Sequence, residues 1–224
     1  MADLGWWLAP ATCLLCDGRG ADPRLDLCVH CLGGLPAQPA NWHPATGPWA
    51  SVTSPWRYEY PVDHLVRGLK FRGERANARV LGTLLGRARA ASPAPLPHLV
   101  IPVPLHARRL RARGFNQAAE IAAFAARQLR IPLWPNCLRR QRNTQAQSML
   151  PAASRSANVS GAFAASGKLP HVHVALVDDV ITTGSTAAAA AAVLLSAGAE
   201  SVELWVLAQV RRRAGPGGQY SPSG

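Results

Sequence analysis

Apolar residues between positions 51 and 210 repeat with two periods in turn, one that of a strand and the other that of a helix. SVTSPWRYEY is rich in β-branched and aromatic residues and reads as strand. VDHLVRGLKF then sets Val62, Leu65, Val66 and Leu69 on one helical stripe, and a second helical run passes through Val80, Leu81, Leu84 and Leu85. SPAPLP breaks that run, and HLVIPVP follows as a short buried strand stopped by Pro102 and Pro104. FNQAAEIAAFAARQLR returns to helix with Ile121, Phe124, Ala125 and Leu129 inward. Residues 141–160 are polar and sparse in large apolar groups, the pattern of a long mobile loop. VHVALVDD is the next strand, TGSTAAAAAAVLLSAGA the next helix, and SVELWVLAQV the last strand.

Strands alternating with helices imply right-handed βαβ units. The fold class is therefore α/β, a mostly parallel sheet with helices on both faces, over residues 50–210. Residues 33–49 are rich in proline, glycine and alanine, lack either period, and read as a linker. Trp42 and Trp49 are unusual in a free linker and point to packing along the main domain. The tail RRRAGPGGQYSPSG, residues 211–224, reads as disordered.

Residues 1–32 add a small module. CLLC and CVHC place Cys13, Cys16, Cys28 and Cys31 in two CxxC knuckles eleven residues apart, joined by a polar loop that carries glycines and Pro23. Four thiolates at that spacing form a closed tetrahedral shell, so a structural zinc ribbon is expected. His30 lies within the second knuckle as a bystander, and Cys137 reads as a buried or idle thiol. The segment before the ribbon has an acid at Asp3 and no basic leader, and Trp6 and Trp7 suit a short helix packed on the ribbon. No stretch reaches the roughly 20 apolar residues of a membrane span. The expected location is the cytoplasm, where thiols stay reduced.

Twenty-four Lys and Arg against twelve Asp and Glu leave a formal charge of +12 over 224 residues, which suits phosphate-bearing partners. The sharpest chemistry lies in VALVDDVITTGST. Asp178 and Asp179 fall at the carboxyl end of a buried strand, where open α/β sheets bind ligands. The hydroxyls of Thr182, Thr183, Ser185 and Thr186 surround Gly184 at the start of a helix, the makings of a phosphate cradle. A Walker A loop is excluded, because GAFAASGKL has five residues between Gly161 and Gly167 and ends in leucine. GxGxxG is absent. Carboxylates beside a phosphate cradle suit a sugar phosphate, with the acids on vicinal hydroxyls and the cradle on the 5′-phosphate.

Four apolar residues, DD, three residues and TGST resemble the phosphoribosyl pyrophosphate (PRPP) signature of type I phosphoribosyltransferases. With IPVPLHARRLRARGFNQA, residues 101–118, with RRQRNTQAQSMLPAASRSANVSGAF, residues 139–163, and with the zinc ribbon, the chain is similar to the ComF family of competence proteins. That resemblance implies a phosphoribosyltransferase-like domain, a link to DNA uptake, partnership with a competence DNA helicase, and single-stranded DNA as a further candidate partner. Asp178 and Asp179 then serve the ribose hydroxyls and the positive charge that develops on the sugar. Magnesium would bridge ribose and pyrophosphate oxygens. Arg108, Arg109 and Arg113, with Arg139, Arg140 and Arg142 on the loop, are the pyrophosphate candidates. No general base stands out: His171 and His173 flank a strand start, and His106 lies nearer the site. Three functional classes stay open at this point: a phosphoribosyltransferase of unknown acceptor, a non-enzymatic DNA-uptake adaptor that keeps the PRPP site for sensing or structure, and a basic zinc-containing nucleic-acid-binding protein.

Overall fold

The computed structural model describes residues 11–21, 25–39, 46–141 and 161–210. Helix α1 (Val29–Gly33) closes the cysteine knuckles. The main body then runs β1 (Ser51–Thr53), β2 (Trp56–Arg57), α2 (Val62–Arg67), a π-helical turn (Gly68–Arg72), α3 (Ala76–Ala90), β3 (Leu99–Pro102), α4 (Ala107–Arg113), α5 (Gln117–Leu129), β4 (Leu138–Arg140), β5 (Phe163–Ala165), β6 (His173–Ile181), α6 (Ser185–Ser196) and β7 (Ser201–Gln209). The strands of the main sheet are all parallel in the order β1–β7–β6–β3, with β2 pairing further along β7. β4 and β5 form a separate antiparallel pair.

Alternation along the central strands sends side chains to two cores, one on each face of the sheet. Ala175 and Val177 of β6, Trp205 and Leu207 of β7, and Val100 of β3 pack with α2, α3 and α5. Val174 and Leu176, Val202, Leu204 and Val206, and Leu99 and Ile101 pack with α6 and with Leu138 and Phe163 of the β4–β5 pair. Val62, Leu65, Val66 and Leu69 are all fully buried, but the helix that carries them becomes a π-helical turn at Gly68. In α5, Ile121 and Ala125 are buried, whereas Phe124 and Leu129 are only partly so.

Three consequences of packing shape these elements. β6 does not stop at the acids, because β7 continues beside it and pairs Val180 with Ala208 and Ile181 with Gln209. The cysteine module does not stand apart: Cys13, Leu25 and Leu27 are fully buried in the same core as Leu65, Leu81 and Leu85, and Arg79 of α3 donates to Asp26 through Nε at 2.7 Å. Part of the segment 33–49 is held against β2, where Arg57 N donates to the Pro36 carbonyl at 2.8 Å and Gln38 N to that of Pro55 at 2.9 Å. Trp6, Trp7, Trp42, Arg142, nearly all of the 141–160 loop and the tail 211–224 lie outside the described residues. Among the described residues no helix is long and apolar enough to cross a membrane.

Candidate functional site

β3 ends one residue short of the acid pair: Pro102 lies opposite Val177, and Val103 N donates to the Val177 carbonyl at 2.8 Å before the chain turns away. On that side Asp178 and Asp179 have no strand neighbour, and a cleft of about 790 Å³ opens over them. The C-terminal edge of a parallel sheet is where such clefts form. Four cations line it with the two acids: Lys70 of the π-helical turn, Arg109 and Arg113 of α4, and Arg140 at the end of β4. Thr186 of α6 completes the polar lining, and Phe71, Phe115 and Gln117 join it from neighbouring segments.

The acids differ in surroundings. Asp179 is 4% exposed, and its Oδ2 lies 2.9 Å from the Lys70 ammonium without forming an aligned hydrogen bond, while its Oδ1 accepts from Val180 N at 2.5 Å. Asp178 accepts from Asp179 N at 2.8 Å. Burial, then the adjacent charge of Asp179, pushes the Asp178 carboxyl up to about 7 against the pull of the Asp179 N–H, Lys70 and Arg140. The side chain keeps some surface on the cleft, so water there tempers that shift.

Burial and mutual repulsion act on the guanidinium groups as well. Burial lowers the Arg113 value, with Asp179 opposing and Arg109 adding repulsion. Arg140 is lowered by burial and by Arg109, with Asp178 opposing. Arg113 donates to the Gln117 side chain and stacks 5.7 Å from the Phe71 ring centroid. Several cations pressed together over one cleft favour a polyanionic ligand.

Not every expected residue is in this cleft. Arg108 is exposed and outside its lining, whereas Arg109 and Arg113, four apart on one helical face, point into it. The hydroxyl loop is divided. Thr186 faces the acids, Thr183, Gly184 and Ser185 line an adjoining cavity of about 540 Å³, and Thr182 is exposed in neither lining. Gly184 takes φ of 78°, which a side chain would strain, and caps α6 at its N-terminus. The positive end of that helix therefore lies between the two cavities. Arg142 is outside the described residues. Lys70 was not marked by the sequence, because the stripe Val62 to Leu69 reads as an ordinary amphipathic helix that runs across it.

In the N-terminal module the sulfurs of Cys13, Cys16, Cys28 and Cys31 lie within 4.8 Å of one another, the one such metal-capable group among the described residues. Burial raises the Cys13 thiol, but the backbone N–H groups of Cys28, Leu15 and Cys16 outweigh it and bring it down to about 7. Burial and the other three sulfurs push Cys31 up. The cluster thus resists carrying four negative charges by itself, and a cation would relieve it. His30 and Cys137 take no part in it.

Comparison with known proteins agrees with this architecture. The family model described as "Phosphoribosyl transferase domain" matches residues 116–220. "DNA utilization protein YhgH" of Salmonella typhi is 35% identical over 210 residues, 88% of this chain and 89% of its own. "Competence protein F" of Haemophilus influenzae is 33% identical over 187 residues, 80% of this chain and 78% of its own. Among solved structures, glutamine PRPP amidotransferase from B. subtilis, complexed with ADP and GMP, is 24% identical, with 56% of this chain and 25% of that one covered at a TM-score of 0.39. With relatives alike over most of their length and a parallel sheet carrying DD and TGST at its carboxyl edge, the chain belongs to the competence protein F and YhgH family, built on a phosphoribosyltransferase domain.

Proposed function

We propose that the cleft binds PRPP together with magnesium and that this occupancy serves DNA uptake or DNA utilization. The observation that carries the reading is the convergence on one cleft of two adjacent acids, a helix N-terminus with Thr186, and the cations Lys70, Arg109, Arg113 and Arg140. Each part suits one part of the ligand. Carboxylates accept hydrogen bonds from vicinal ribose hydroxyls, backbone N–H groups and hydroxyls around Gly184 suit the 5′-phosphate, and guanidinium groups suit the diphosphate. Asp179 Oδ2, buried beside Lys70 with no aligned hydrogen bond, is an acceptor still able to serve a hydroxyl donor. Magnesium entering with PRPP would supply positive charge that offsets the charge of the diphosphate. Asp178 and Asp179 face the sugar carbon that becomes cationic as diphosphate leaves, and such preorganised charge is worth on the order of 3 kcal/mol, about a hundredfold in rate. Zinc is the metal that four cysteine sulfurs suit. A cytoplasmic location, a DNA helicase partner and single-stranded DNA belong to the same reading, whose link to DNA utilization and competence is supported by what the relatives are called.

An adaptor that only senses PRPP would keep the same cleft, and diphosphate release separates the two forms. The test begins with binding. A ligand at a hundred times its Kd adds about 2.7 kcal/mol to stability, so PRPP with magnesium should raise the melting temperature by several degrees. Asp178→Asn with Asp179→Asn should remove most of that rise while the fold survives. A double variant that binds PRPP as tightly as the parent would defeat the assignment. Diphosphate release with candidate nitrogen nucleophiles would then mark an enzyme, and its absence beside intact binding would mark a sensor.

A further inference from the structure

Lys70 reaches the acid pair through a local device. Residues Gly68–Arg72 form a π-helical turn between α2 and α3, a widened turn often found at functional positions. The turn is braced from α3. Asn77, 3% exposed, donates through Nδ2 to the Leu65 carbonyl at 2.9 Å and to Glu74 Oε2 at 3.0 Å, and Glu74 pairs with Arg72 Nε at 2.5 Å. A side chain at Gly68 would meet Asn77 Nδ2 at 2.6 Å and an Arg72 nitrogen at 2.7 Å, so the bracing depends on the missing Cβ. Leu69 is fully buried in the core and Phe71 is 75% exposed at the rim of the cleft. Lys70, between them, sends its ammonium to Asp179 Oδ2 at 2.9 Å with its side chain 20% exposed.

A largely buried ion pair contributes little to net stability, because desolvation of both ions offsets their attraction. Its position beside Asp178 and its unaligned geometry fit a different use. We propose that Lys70 is a positioning residue of the sugar-phosphate site, one that fixes the Asp179 carboxylate for a ribose hydroxyl and acts through it. The proposal rests on the PRPP reading above. An ammonium spent on Asp179 is not spent on phosphate.

The test is a double-mutant cycle on the full chain, read as the dissociation constants of PRPP and of ribose 5-phosphate, each with magnesium. Lys70→Met should weaken both ligands by a similar factor of about ten, or about 1.4 kcal/mol. Lys70→Met combined with Asp179→Asn should bind no worse than Asp179→Asn alone, because Lys70 acts only through that carboxylate. Lys70→Arg, which keeps the charge, should recover most of the affinity. Should Lys70→Met fold poorly by circular dichroism, Lys70→Gln takes its place in the cycle. Loss confined to PRPP, or additive losses in the double variant, would mean direct contact with the diphosphate and overturn the positioning role. Unchanged affinity in a folded variant would overturn it too. A parent protein that binds neither ligand removes the PRPP reading and this one with it, whereas a parent that binds both beside an unaffected Lys70→Met removes this one alone.

Discussion

A carboxylate on the floor of the cleft gives up hydration on every side but one, and Asp178 does so next to a second acid. Burial first and Asp179 second lift its carboxyl from 3.8 to about 7. An acid whose value is raised in the folded state favours folding only while protonated. Below about pH 4 the folded and unfolded chains are both protonated there and nothing is lost, and as pH rises through 7 the folded state must carry a charge that the unfolded chain carries at no cost. The full shift would correspond to about 4 kcal/mol at 1.36 kcal/mol for each unit, and water in the cleft reduces this to about 1–3 kcal/mol. Asp178→Asn, without ligand, should therefore melt several degrees above the parent at pH 8, and the gain should shrink toward zero near pH 4. A variant less stable than the parent at pH 8 would mean that the Asp178 environment is not as described. The same substitution should weaken PRPP binding, so stability and ligand affinity trade against each other at this residue.

At the scale of elements, the cleft depends on how α3 and α5 sit against the sheet. α3 leads out of the π-helical turn that carries Lys70, and α5 begins at Gln117 beside the cleft. The two helices meet closely where α3 has glycine. A Cβ at Gly82 would press into the Ile121 carbonyl and lie 2.7 Å from Phe124 Cβ, and one at Gly86 would lie 2.9 Å from Gln128 Cβ. Alanine gains helix propensity over glycine, but overpacking a rigid backbone contact costs about 1–3 kcal/mol. Gly82→Ala should lower the melting temperature by several degrees and weaken PRPP binding through displacement of α5, and an unchanged or raised melting temperature would contradict so close a crossing. These elements also mark how far the sequence could be read. The sheet strands and α6 were legible, because strict periods and the run DD-x-x-x-TGST are local signals. The i,i+4 spacing of Arg109 and Arg113 would have separated them from Arg108, since residues four apart share a helical face. Lys70 was not legible. The break in its helix is held by Asn77, twelve residues beyond the Leu65 carbonyl it satisfies, and a bond of that span leaves no periodic trace. The extension of β6 past its acids was equally hidden, because the length of β7 beside it decides where the pairing ends.

At the scale of the whole molecule the cysteine module and the phosphoribosyltransferase domain share one hydrophobic core. Leu25, Leu27 and Cys13 are fully buried with residues of α2 and α3, and Asp26 pairs with Arg79. Burying each leucine is worth roughly 1.5–3 kcal/mol, so the module stabilises the helices that lead into the Lys70 turn as well as itself. A module of this size cannot bury enough surface to fold unaided, and a metal bound by its four cysteines would supply the missing free energy. Metal removal should therefore reach the cleft. Protein purified without chelator should contain close to one equivalent of zinc by elemental analysis, and less than half an equivalent would defeat the assignment of the metal. Stripping it under reducing conditions should lower the melting temperature of the whole molecule by at least ~5 °C in a single transition, and should weaken PRPP binding although no cysteine lines that cleft. If the module were an independent appendage, the main transition would stay where it was and PRPP affinity would not move. Either of those observations would separate two parts that the shared burial of Leu25 and Leu27 joins.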